Sequence, residues 1–188
     1  MRKIDTIAAD MIPIRLIISL AVVASISMLV GFGFLNLKIS NSEDDVECQM
    51  NNIQSKMYNM IASGIARDVD EVDASDGTKR RITLSLPDNL AFIGFGVDPD
   101  ENNDGVLKSG LTDQGNVIFY KIHGGSKKVI WFENKIRFRE GKINGDKWVL
   151  NNPPQGFIIS KGETTIVFEL VERFNEKYIL IQCNDGIG

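Results

Sequence analysis

Histidine and cysteine are nearly absent from this chain of 188 residues, which has one of the first, His123, and two of the second, Cys48 and Cys183. A lone histidine beside two glycines, in Lys121-Ile122-His123-Gly124-Gly125, reads as an exposed loop residue and not as a catalytic base. There is no nucleophile elbow, no phosphate-cradling Gly-Lys loop and no zinc-ligand spacing. The two cysteines lie too far apart in sequence to suggest a redox pair. These absences argue against an enzyme. An excess of positive charge is missing as well. Lys and Arg number 21 against 25 Asp and Glu, for a net charge of −4. A nucleic-acid partner calls for a basic stripe on the folded domain, so none is expected. No internal repeat or low-complexity segment is visible.

What is present is one long apolar run. Leu16 to Leu35, LIISLAVVASISMLVGFGFL, carries no charge, and its polar members are Ser19, Ser25 and Ser27. At about 1.5 Å per helical residue, such a run spans about 30 Å, the thickness of a bilayer core. A removable signal peptide is the competing reading, but its apolar region is shorter and ends in a small-residue cleavage site. Here the run continues through Gly31-Phe32-Gly33-Phe34 without one. Arg2, Lys3 and Arg15 precede the span, whereas Lys38, Glu43, Asp44, Asp45 and Glu47 follow it. Positive residues are retained in the cytoplasm. The expectation is a single-pass cell-membrane protein with its N-terminus inside and everything after Asn36 outside.

The chain then divides into a leader (1–15), a transmembrane helix (16–35), an amphipathic helical extension (36–67) and a β-rich domain (68–188). Pro13 suits a first helical turn, so the membrane helix is expected to begin around Ile12 to Ile14. In the extension, Ser42 and the acids after it mark a helix start. Val46, Met50, Ile53, Met57, Met60 and Gly64 then recur at steps of four and three, a seam along one side of a helix. That seam must bury against the following domain or against a neighbouring subunit. Its helix either continues the membrane helix or meets it at a hinge near residues 39–41. Beyond an acidic connector, Arg67 to Gly77, the period changes. Short β-branched and aromatic runs follow at 81–86, 90–97, 116–122, 129–132, 136–139, 148–150, 157–160, 164–173 and 178–183, separated by Gly, Asn, Asp and Pro. Phe174-Asn175-Glu176 is placed as a hairpin turn. The fold class is α+β, a long N-terminal helix followed by an antiparallel sheet or sandwich.

Two local patterns are candidate sites. Asp98-Pro99-Asp100-Glu101-Asn102-Asn103-Asp104-Gly105 contains, from Asp100, the alternating oxygen donors and glycine that open a calcium loop. Asp98, Asp100, Asn102 and Asp104 are therefore candidate calcium ligands, with Asp113 within reach of completing the shell. A bidentate acid at position twelve is missing, since Leu111 stands there, and an ordinary solvated Asx loop is the alternative. Cys48 and Cys183 are a candidate disulfide. It would close a loop of well over a hundred residues and contribute roughly 4–5 kcal/mol in the chain-entropy model; two separate thiols are the alternative. The cluster Asp68, Asp70, Glu71, Asp73 and Asp76 reads as a solvated face.

A basic leader, an apolar helix, a helical extension with a heptad-like seam and a β-rich head together resemble the type IV pilin superfamily, and within it the archaeal pilin-like proteins. FGVDPDENNDG followed by GNVIFYKI is similar to the acid loop and strand of minor pilins and pseudopilins. The resemblance implies a structural or accessory subunit of a cell-surface filament, whose partners are other pilin-like subunits or further copies of itself. The apolar helices would pack together as they leave the membrane, a step open only to a helix whose neighbours replace lipid. Ala21, Ala24, Ser27, Gly31 and Gly33 would permit close approach. Two positions depart from the family pattern. No basic residue directly precedes Ala8-Ala9, and Arg15 stands where many members carry a glutamate. An uncleaved surface protein with a binding or adhesion domain, calcium being its candidate ligand, is the second reading.

Overall fold

The computed structural model describes residues 6–71, 73–133, 136–144, 147–160 and 162–183, with side chains from residue 14 onward except those of Glu163 and Cys183. Arg2 and Lys3, used above for orientation, lie outside the described residues. One helix, α1 (Thr6–Ser63), precedes ten strands: β1 (Arg67–Asp68), β2 (Lys79–Ser85), β3 (Leu90–Phe95), β4 (Val117–Ile122), β5 (Lys128–Trp131), β6 (Phe138–Asn144), β7 (Lys147–Leu150), β8 (Phe157–Ile159), β9 (Glu163–Arg173) and β10 (Glu176–Cys183). The architecture is α+β, as expected. The chain forms two compact units, residues 1–40 and 41–188.

In the first unit α1 begins at Thr6, earlier than Ile12 to Ile14, and Pro13 lies inside it. The residues near 39–41, considered for a hinge, are helical. The helix is long and apolar enough to cross a membrane, and none of its most apolar stretch is buried.

The second unit is organised by the seam of α1. Val46, Met50, Ile53, Met57 and Met60 are completely buried. Their cover is the β-domain of the same chain. Gln49 donates from Nε2 to the Ser85 carbonyl at 2.8 Å and accepts the Ser85 N–H at 3.0 Å. Lys128 reaches Glu47 at 3.1 Å and Glu43 at 3.5 Å, fixing β5 to the helix. Tyr58 lies against Phe132, with ring centroids 5.9 Å apart. Gly64 ends the helix where a side chain would collide with the Met60 carbonyl.

The strands form two sheets. The smaller is antiparallel throughout, in the order β5-β4-β3-β8. The larger has the order β1-β9-β10-β6-β7, with β2 also on β9. Strand β2 pairs with Glu163–Glu169, and β1 continues alongside Val171 and Glu172. An all-antiparallel sheet does not describe this arrangement: β1 runs parallel to β9, and β6 runs parallel to β10. Side-chain alternation reports which face a residue takes but not which strand lies beside it. Strand β1 was also not expected, because two residues inside an acidic connector leave no period to read. Aromatic rings join the sheets. Phe95 of β3 meets Phe138 of β6 at 5.7 Å and Phe168 of β9 at 5.8 Å, and Phe132 meets Phe138 at 5.1 Å. Strands β9 and β10 are joined at the expected turn, with Phe174 and Asn175 at φ of +52° and +63°. Left-handed geometry at both central residues is the two-residue turn whose twist matches paired strands.

Candidate functional site

One chemically distinct surface is the apolar segment of α1. Every residue from Ile14 to Lys38 is exposed, including Leu16, Leu20, Val23, Leu29, Phe32 and Phe34. Ser19 and Ser25 turn their hydroxyls inward, donating to the Arg15 and Ala21 carbonyls at 2.9 and 2.8 Å. That removes two donors that would otherwise need water. The five small residues do not share one face. At about 100° per residue, Ala21, Ala24, Ser27 and Gly31 fall within an arc of about 120°, and Gly33 lies on the opposite side. A Cβ placed on Gly31 or Gly33 would meet nothing within 4 Å. The glycines therefore answer no packing need in the described part of the chain.

The acid loop lies on the outer face of the small sheet. Gly94 permits this, because a Cβ there would come within 2.6 Å of the Pro99 ring, and Gly156 does the same for Val97. The Asp98 N–H donates to the Thr112 hydroxyl at 2.7 Å. Lys127 places its ammonium 2.6 Å from the Asp98 carboxylate and 3.0 Å from the Asp100 carbonyl. Asp98 also accepts the N–H of Asp100, Asp100 accepts that of Gly105, and Asp104 accepts that of Val106. Of the four candidate ligands, the structure thus gathers Asp98 and Asp100 around a lysine. It leaves Asn102 and Asp104 exposed at the surface. Among the described residues, no group of three or more acidic, histidine or cysteine side chains is placed to hold a metal ion. Asp98 and Asp104 each accept the N–H two residues on, as in Asx turns, and Asp98 also takes Lys127.

Cys48 lies off the buried seam, exposed and with a free thiol. Cys183 is the last residue of β10, and its side chain is outside the described residues. His123 is exposed in the turn after β4, where its N–H donates to the Asn89 carbonyl at 2.8 Å.

One constellation escapes sequence reading. Arg67, in the acidic connector, is buried against Glu169 of β9, Nε to Oε1 at 2.8 Å and Nη2 to Oε2 at 3.1 Å. Glu169 also accepts the Gly77 N–H and the Gln182 amide, each at 3.1 Å, and Arg67 donates to the Trp148 carbonyl at 2.7 Å. The hydrogen bond to Glu169 raises the Arg67 pKa against the opposing effect of burial. A glutamate between Phe168 and Leu170, in a strand otherwise rich in apolar residues, is the signal that could have pointed here. The pair fixes β1 to β9 and reads as structural, since every oxygen of the carboxylate is taken. A second buried titratable group is Tyr120, which burial and then Glu47 push up to about 12. It lies under the helix seam, with its hydroxyl 3.4 Å from the Glu47 carboxylate.

The fold and its surfaces define a class: a β-rich head on a helix that is itself a candidate membrane span. Comparison with family models, with curated proteins and with solved structures returned no match.

Proposed function

We propose that this chain is a membrane-anchored, pilin-like structural or accessory subunit of a cell-surface filament, with residues 1–15 inside and the β-domain outside. One observation carries the reading. A single helix treats its apolar residues in two ways: from Val46 onward they are buried by their own β-domain, whereas from Ile14 to Leu37 they have no cover at all. Residues 14–37 must be solvated by lipid or by apolar helices of other subunits, and a filament subunit requires both in turn. The face of Ala21, Ala24, Ser27 and Gly31 supplies the close approach that helix packing uses when lipid offers no hydrophobic gain. Orientation rests on Arg2, Lys3 and Arg15 before the span against the single Lys38 directly after it.

Two measurements test this. Mass spectrometry of the mature protein is expected to show removal of residues within 1–15. Antibody labelling under electron microscopy is expected to place the β-domain along surface filaments. An intact leader, with the chain in the membrane fraction and absent from every filament, would favour a fixed single-pass surface protein. Recovery in the soluble fraction would overturn both readings.

A further inference from the structure

The β9–β10 hairpin turns on a residue that its own chain does not account for. Phe174 holds a left-handed φ of +52°, a costly conformation for a bulky side chain. Its side chain is nevertheless 84% exposed. Among the described residues its one ring contact is the Arg173 guanidinium, 5.2 Å from the ring centre. An asparagine or glycine would make the same turn without strain and without an exposed apolar surface. The next residue, Asn175, lines a cleft of about 530 Å³ whose apolar lining is Tyr58, Ile61, Ala62 and Ile136. Glu133 and Lys177 line the same cleft, both exposed and neither in an ion pair with a described residue.

A knob, a hole and two opposite charges therefore lie side by side on one patch. Such a patch suits a two-fold axis, because each copy carries both the knob and the hole and both charges, so that every contact is made twice. We propose that it is a contact between two copies of this chain. Phe174 of each copy enters the cleft of the other, and Lys177 of each faces Glu133 of the other. The apolar segment of α1 takes no part, so this contact stands or falls separately from helix assembly.

Size sets its strength. Each phenylalanine would bury roughly 150–250 Å². The pair stays well short of the roughly 1,000 Å² that a stable interface needs. The contact is weak between free molecules and forms where chains are held at high effective concentration, as on one membrane.

The test uses the full chain in lipid vesicles, with the photoreactive residue p-benzoylphenylalanine at position 174. Isotope-labelled and unlabelled chains are mixed, so that links between copies can be told from links within one. Mixed-isotope links to residues 58–62 or to Ile136 are expected. Glu133→Lys and Lys177→Glu should each lower their yield several-fold, and the double exchange should restore it. Circular dichroism confirms that each variant keeps its fold. Links confined to lipid or to the same chain would overturn the proposal, as would a double exchange no better than either single one.

Discussion

Arg67 and Glu169 show how much one buried pair can hold. Removing one partner leaves the other charge uncompensated in the interior, which costs about 3–5 kcal/mol. Arg67→Met is expected to lower the free energy of unfolding by that amount in urea titrations, and Glu169→Gln, which keeps the shape and some of the hydrogen bonds, by less. Tyr120 gives a pH signature. Its folded pKa of about 12 lies above the value near 10 of an unfolded tyrosine. Its contribution is thus complete below pH ~10 and is lost as pH rises toward 12. Tyr120→Phe should flatten that part of the alkaline loss, read as the urea midpoint against pH. Phe174→Asn should raise stability by about 1 kcal/mol, since asparagine tolerates the left-handed turn and the lost cation–π contact lies at the surface. At Asp98 and Asp100 the cation already in place is Lys127. Millimolar calcium is expected to leave the melting temperature unchanged, and an upward shift would show that the lysine yields to metal. The Arg67–Glu169 contact was not legible in the sequence. A donor and an acceptor 102 positions apart carry no common pattern until the sheet brings them together.

At the level of elements, legibility followed periodicity. The seam of α1 was readable because its steps of four and three persist over several turns, and the structure buries every apolar member named from Val46 to Met60. Nine of the ten described strands fell on runs of β-branched and aromatic residues, with their ends displaced by a few positions. The tenth, β1, is held by Arg67 and by backbone pairing and has no period. The parallel neighbours β6 and β10 were equally hidden, because partner choice belongs to the chain's path between them. The two halves of α1 should respond differently to the same change. Ile53→Ala or Met57→Ala removes buried contacts and should cost about 2–5 kcal/mol in the unfolding of the β-domain. Leu20→Ala or Leu29→Ala should leave that unfolding unaltered, because neither side chain is buried by the domain. Chemical denaturation followed by tryptophan fluorescence, with Trp131 and Trp148 both in the β-domain, makes the comparison directly.

For the molecule as a whole, strand order governs more than the finished shape. β10 lies between β9 and β6 in the larger sheet, yet it is the last of the described strands to be synthesised. The apolar segment of α1 leaves the ribosome more than a hundred residues earlier. On the proposed reading, a nascent chain is committed to the membrane long before its sheet can close. During that interval Val46, Met50, Ile53, Met57 and Met60 have no β10-completed domain to cover them. If the β-domain is exported as proposed, it crosses as an open, aggregation-prone intermediate, and premature termination before Tyr178 would leave it without β10.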